Sequence, residues 1–377
     1  MTPSSCMERT GVFFPFAKAI KEVVSIPVIA VNKITTPFIA ESVLKQGIAD
    51  LVAIGRGSLA DPEFPRKVQE GRADEILECI GCWQGCQGRI AKQLPVSCLV
   101  NPRTGKEAKY EIRPAAQRKK VMVIGGGPAG MEAAIVAAQR GHDVHLYERN
   151  AQLGGQWLLA AIPPGKESLN TLTVWQKGEL KRRGVTVHLG VEVTRALVEE
   201  VNADRVIVAT GSQPIIPNIK GVDLPHVHEA SDVLLGKLDL PQHAVVIGGG
   251  IRGAETAAHI AAHNRKVTLI EMLDQIVGEL EYAPKVYLLK SLRENGVKIL
   301  TNAKLLEIKP HTIIVNVNDE EQELPAEQVI IAVGTKSNPT LPNALSGLPN
   351  VTVVGDALKA GRALEAIDQG YRAGLEA

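Results

Sequence analysis

The sequence has 377 residues, and its 42 Lys and Arg almost cancel 41 Asp and Glu, leaving a net charge of +1. That length allows two or three domains with sizeable cores, and the charge balance excludes the bulk electrostatic pull of a nucleic-acid or anionic-membrane binder. No apolar run approaches the ~20 residues that span a bilayer, and the N-terminus lacks the basic start, apolar stretch and small-residue cleavage site of a secretory signal. The expectation is a cytoplasmic protein with small-molecule partners, no nucleic acid and no membrane.

Residues 1–68 read as helix–strand–helix–strand. An amphipathic segment, 14–24, precedes the apolar run Ile26–Asn32. A helical stretch, Pro37–Gln46, leads to a second run, Asp50–Ile54, and to a Gly-rich loop from Gly55 to Asp61. Buried-type strands alternating with helices are the rhythm of a parallel sheet. Two strands cannot close a barrel of eight, so further units are expected upstream.

Residues 69–118 hold four of the five cysteines and then a basic, Pro-containing linker; Cys6 stands apart and reads as a spectator thiol. Cys79, Cys82, Cys86 and Cys98 lie within 20 residues, with two short spacings and one long one. Short spacings wrap three sulfurs round one corner of a cubane, and a returning strand supplies the fourth, which points to a [4Fe–4S] cluster. Zinc is the rival, although structural zinc sites usually pair two short knuckles. Disulfides do not suit the expected compartment. Gly81, Gly85 and Gly88 let the backbone fold closely round a cluster, and Trp83 reads as its shield from water.

From residue 119 onward the pattern is strand, Gly-rich turn and Ala-rich helix, as in nucleotide-binding α/β domains. Residues 121–148 align without gaps on residues 244–271, each fingerprint glycine meeting its partner at a constant offset of 123. Two distant copies mean two dinucleotide folds rather than a solenoid. In the first, Gly125 permits a tight turn, Gly127 lets backbone approach a pyrophosphate, and Gly130 lets the helix pack on the strand. Glu148 ends the next strand, where a carboxylate binds ribose hydroxyls. Gly248, Gly250, Gly253 and Glu271 repeat the set. Glu271 favours NADH by repelling a 2′-phosphate, while Arg252, Arg265 and Lys266 keep NADPH possible.

Three further signals follow: the turn Leu153–Gln156, a strand ending in Ala209-Thr210-Gly211, and a strand ending in Gly355-Asp356. In this order they make residues 119–377 resemble the flavoproteins with two dinucleotide-binding domains. The resemblance implies an FAD domain, 119–239 and 331–377, interrupted by an NAD(P)H domain, 240–330. It implies Gln156, Gly211 and Gly355 around FAD, Asp356 on its ribityl chain or pyrophosphate, and Glu255 near the nicotinamide. Asp356 would equally suit capping of the helix that follows. Disulfide reductases of this family keep a redox cysteine pair in these domains; with no cysteine after Cys98, that chemistry is excluded.

The segment 53–63, the cysteine spacing and the two dinucleotide folds together resemble the C-terminal part of bacterial 2,4-dienoyl-CoA reductase and trimethylamine dehydrogenase, old yellow enzyme-like proteins with an appended cluster and flavoprotein module. The resemblance implies that 1–68 is the end of an FMN-binding (β/α)8 (TIM) barrel, with Gly55 and Arg56 on the FMN phosphate; Arg56 alone could equally be a surface charge. The fold class is thus α/β: a partial barrel, a cluster segment and two Rossmann-like domains. The implied route runs from NADH to FAD, to the cluster, to an FMN whose site is incomplete here, for reduction of an activated C=C bond. Two alternatives are a non-catalytic electron-transfer subunit and an amine dehydrogenase-like protein carrying ADP in place of FAD. The family's earlier barrel units are not in the sequence. The expectation is a shortened chain, with a partner chain supplying the rest of the barrel, or a homo-oligomer, as other arrangements. No residue can be named as catalytic proton donor. His259 and His263 read as a surface or packing pair, and His226 and His228 as solvated loop residues.

Overall fold

A computed structural model describes Met7 and residues 10–377; Cys6 and the first residues of the barrel-like segment lie outside the described residues. The chain divides into two compact units, the first comprising residues 1–157, 168–211 and 337–377 and the second 158–167 and 212–336.

The first unit opens with α1 (Phe14–Lys21), β1 (Ile29–Ala30), α2 (Pro37–Lys45) and β2 (Leu51–Val52). The order matches the sequence pattern, but the strands are two residues each and pair in parallel only with one another. Thr36 caps α2, its hydroxyl accepting from the Ile39 N–H, and Pro37 fills the first helical position. Val28, Ala30, Val43 and Ala49 form a small core here, while Ile26, Ile29 and Leu51 stay exposed. The expected loop after β2 is a short helix, α3 (Gly55–Ala60), followed by α4 (Phe64–Gln69). Asp61 fastens the next segment: its carboxylate accepts from Leu77 N–H and Lys67 Nζ.

After the cysteine segment and its short helix α5 (Gln87–Ile90) come β3 (Lys120–Ile124), α6 (Pro128–Gln139), β4 (Asp143–Glu148), α7 (Trp157–Ala160), α8 (Asn170–Arg182), β5 (Thr186–Leu189), α9 (Arg195–Val201) and β6 (Arg205–Val208). The second unit carries β7 (Ser212–Pro214), β8 (Val227–Glu229), α10 (Ala230–Leu234), β9 (His243–Ile247), α11 (Ile251–Ala262), β10 (Lys266–Ile270), α12 (Tyr282–Glu294), β11 (Lys298–Leu300), the antiparallel β12 (Ala303–Ile308), β13 (Thr312–Val317) and β14 (Glu320–Pro325), then β15 (Gln328–Ile331) and β16 (Thr335–Ser337). The chain returns to the first unit with α13 (Thr340–Ala344), β17 (Val351–Val353) and α14 (Ala363–Leu375).

The first unit's sheet runs β17-β6-β3-β4-β5, all parallel. Its central strand is buried on both faces, which is why it reads as an unbroken apolar run. Val121 and Val123 face the core under α6, and Met122 and Ile124 face the opposite core. Helix α6 is apolar on nearly every side, Glu132 being the buried exception, because the sheet and α14 enclose it. Gly370 brings α14 so close that a methyl group there would run into the Ala129 carbonyl. The linker is held to α14 by Tyr110 stacked on Tyr371, ring centroids 5.3 Å apart, and by the Lys106–Asp368 ion pair.

The second unit's main sheet runs β11-β10-β9-β15-β8, again parallel. His228 lies within β8, half-buried, so the solvated-loop expectation is wrong for it; His226 does lie in a turn, half-buried, with its Nε2 shielded. No helix among the described residues is long and apolar enough to cross a membrane.

Candidate redox centre and dinucleotide sites

In both sheets the chain order reverses beside the fingerprint strand, between β3 and β6 and between β9 and β15, and such reversals open the ligand crevice at the carboxyl ends of the strands. Gly125 stands in the first with φ +109°, where a side chain would also strike the Ala209 carbonyl. A methyl group on Gly130 would collide with the Gly125 carbonyl, so α6 can lie against the turn only with glycine there. Nothing approaches the open side of Gly127 within 4 Å, leaving the space a pyrophosphate needs. Glu148, Gly211, Gly355 and Asp356 follow the ends of β4, β6 and β17, and Gln156 Nε2 lies 3.9 Å from the Cβ position of Gly211. The expected site residues therefore gather on one edge of one sheet. The capping alternative for Asp356 fails: α14 begins only at Ala363, and Asp356 Oδ1 accepts from Gly361 N–H at 3.2 Å.

The second crevice repeats the first atom for atom over a longer stretch than the sequence alignment. Gly248 has φ +106° and approaches the Ala332 carbonyl, and Gly253 abuts the Gly248 carbonyl. Glu148 accepts from Gly126 N–H at 2.7 Å and Glu271 from Gly249 N–H at 2.6 Å. Gly154 N–H donates to the Gly126 carbonyl and Val277 N–H to that of Gly249, each at 2.8 Å. Ala209 N–H meets the Ile124 carbonyl as Ala332 N–H meets that of Ile247. Every pair keeps the offset of 123.

Two of the three basic residues that kept NADPH in view are badly placed for it. Arg265 and Lys266 sit at the start of β10, roughly 16 Å from Glu271 at about 3.3 Å per residue. Arg252, in the first turn of α11, has Glu229 at the end of β8 as a charged neighbour. Glu255 lies one turn into α11, 8% exposed, and Lys166 Nζ meets its Oε1 at 2.6 Å. Burial pushes the Glu255 carboxyl up against the opposing pull of Lys166. Sequence reasoning missed Lys166, which lies far away in the chain with only a Pro-Pro-Gly turn to mark it.

The four cysteines meet round one small cavity, open in part to solvent, with Arg56, Trp83 and Leu99 among its other walls. Gly81 (φ +67°) turns the chain between the first two cysteines. Ser97 N–H donates to the Gly85 carbonyl at 2.7 Å, and a Cβ on Gly85 would come within 2.6 Å of the Ser97 carbonyl oxygen and 2.9 Å of the Cys98 Cα. Gly85 thus lets the returning arm bring Cys98 to the other three. Burial, then the neighbouring sulfurs, raise the Cys82 thiol, burial pushes Cys98 up to about 12, and burial raises Cys86 too, against a smaller opposing pull from Arg56. Bare thiolates are costly in such a cavity, and a bound metal offsets that cost. Among the described residues no three His, Cys, Asp or Glu converge as the ligand set of a single ion, and His259 and His263 form only a tilted ring pair. Trp157 Nε1 donates to the Leu169 carbonyl at 2.8 Å and Ser168 Oγ to the Ile80 carbonyl at 3.3 Å, joining the loop after Glu148 to the cysteine loop.

Two parallel sheets with paired glycine fingerprints, one interrupting the other, define a two-dinucleotide oxidoreductase. Residues 119–351 match the pyridine nucleotide-disulphide oxidoreductase family, to which the chain belongs, and residues 7–75 match the NADH:flavin oxidoreductase / NADH oxidase family. It is 41% identical to an NADH oxidase of Thermoanaerobacter brockii, over 94% of this chain and 56% of that protein. It is 34% identical to a cinnamate reductase of Clostridium sporogenes, over 97% of this chain and 55% of that protein. The solved structure of a 2-naphthoyl-CoA reductase superposes with a TM-score of 0.96 at 30% identity, over all of this chain and 58% of that one. The chain spans little more than half the length of these relatives.

Proposed function

We propose that this chain accepts electrons from NADH on the second fingerprint, holds FAD on the first, and relays electrons through a [4Fe–4S] cluster on Cys79, Cys82, Cys86 and Cys98. The onward acceptor in this reading is FMN near Gly55 and Arg56, and the reaction served by the whole protein is reduction of an activated C=C bond of an enoate or enoyl thioester. The observation that carries it is that the four-thiol cavity belongs to the same compact unit as the first fingerprint and is hydrogen-bonded to the loop beside it.

Each side chain then has a task. The N–H groups at the start of α6 and α11 would bind pyrophosphates, Glu148 and Glu271 would hold ribose hydroxyls, and Asp356 would hold the flavin's ribityl side. When bound, FAD supplies the conversion between a two-electron hydride donor and a one-electron acceptor. Trp83, 6% exposed, keeps water from the sulfurs. The two short spacings and one long one among the four cysteines favour a cluster over structural zinc, whose sites usually pair two short knuckles. Glu271, with Arg265 and Lys266 at the far end of its strand, favours NADH over NADPH.

Heat release and identification of bound nucleotides, with an iron and acid-labile sulfide count, tests this reading. FAD and about four irons per chain are expected. ADP in place of FAD would favour the amine dehydrogenase-like alternative, and one zinc without sulfide would overturn the relay.

A further inference from the structure

The offset of 123 pairs Gln156 of the first crevice with Glu279 of the second. The loops that carry them dock alike. Leu153 lies under Gly126 as Ile276 lies under Gly249. Trp157 N–H donates to the Gly154 carbonyl as Leu280 N–H donates to that of Val277. What differs is charge. Glu279 Oε1 accepts from the Ile251 N–H at 3.0 Å, the first residue of α11, and lies 3.4 Å from the Cβ position of Gly250. In the first crevice the equivalent residue is an uncharged amide, and no side chain approaches the open side of Gly127. The second loop is also held under strain. Val277, buried and β-branched, takes φ +47°, a conformation costly for such a side chain, whereas its counterpart is a glycine, Gly154, free to hold its own positive φ of +128°.

A carboxylate is favoured at the positive end of a 12-residue helix, and the same N–H groups are what a dinucleotide pyrophosphate uses. Two anions cannot share that donor. Resting on the NADH assignment above, we propose that Glu279 is an internal stand-in for phosphate that the nicotinamide dinucleotide must displace. The position then decides how each crevice treats its ligand. Gln156 leaves the first free to retain its dinucleotide as a resident cofactor, and Glu279 makes the second an exchanging site that releases its product quickly. The strain at Val277 favours the loop's departure.

Glu279→Gln makes the second copy equal to the first at this position and keeps an acceptor for Ile251 N–H. Binding of ADP-ribose, which carries the pyrophosphate without redox chemistry, is measured by calorimetry on both proteins, with far-UV circular dichroism and bound flavin confirming equal folding. The variant should bind about tenfold more tightly, and the gap should narrow as salt screens the repulsion. Equal or weaker binding by the variant overturns the proposal while leaving the NADH assignment intact. If neither protein binds ADP-ribose or NADH, the assignment falls and this inference with it. Gln156→Glu gives the reverse test: flavin retained per chain should fall, and unchanged retention contradicts the proposed role of the position.

Discussion

Lys166 and Glu255 form a nearly buried ion pair at the mouth of the second fingerprint, 2.6 Å apart with side chains 11% and 10% exposed. Breaking one side of such a pair leaves an uncompensated buried charge, which costs about 3–5 kcal/mol. Lys166→Met should destabilise the second unit by that order in urea unfolding. The double change Lys166→Met with Glu255→Leu should recover much of the loss, since neither charge then remains. Bleaching of flavin by NADH should slow in the single variant.

Glu132 is a buried group whose charge bears on stability. It sits inside α6, with Gln176 Nε2 3.2 Å from its Oε2, and burial, reinforced by Glu179, raises its carboxyl to about 7. A raised carboxyl binds its proton more tightly in the folded chain than in the unfolded one. Its stabilising contribution is therefore complete below about 4.5 and is lost as pH rises to about 7, on the order of 3 kcal/mol at 1.36 kcal/mol per pH unit. Glu132→Gln should remove this slope. Unfolding midpoints of both proteins between pH 5 and 8 check it.

Gly85 is predicted to matter to metal binding at the four cysteines. The methyl of Gly85→Ala meets backbone of Ser97 and Cys98, which cannot yield as a flexible side chain would, and overpacking of this kind costs about 1–3 kcal/mol. Iron per chain should fall while the bound flavin stays, because the first crevice shares none of these residues.

Nicotinamide preference should follow Glu271 and not the basic residues of β10. Glu271→Gln should shift discrimination toward NADPH by about 1–3 kcal/mol, the scale of a charge-assisted hydrogen bond. Arg265→Ala and Lys266→Ala should leave the NADH to NADPH ratio of kcat/KM unchanged.

Much of the redox site was legible because its residue types have few substitutes. Gly125 and Gly130 are demanded by a left-handed turn and a carbonyl in van der Waals contact, and four cysteines in 20 residues have few soluble uses. Other features depend on distant partners. Gly55-Arg56-Gly57-Ser58 reads as a breaker on helix propensity, yet it forms α3, whose Leu59 carbonyl is held from outside by Asn101 and Thr104. Arg265 and Lys266 looked suited to a phosphate until the strand direction put them at its far end. Lys166 and Glu279 carry almost no local signal, a Pro-Pro-Gly turn beside the first being all there is. Their roles arise from loops that dock on the glycine turns, and only the repeat's offset, carried past Glu271, exposes the second.

The account stands or falls on whether electrons from NADH reach the cysteine cavity. Anaerobic NADH titration of the purified chain, followed by flavin absorbance and electron paramagnetic resonance, tests this directly. Flavin bleaching accompanied by the signal of a reduced iron–sulfur cluster is expected, with Cys82→Ser keeping the bleaching and losing the signal. Bleaching without any cluster signal in the unaltered chain would contradict the relay.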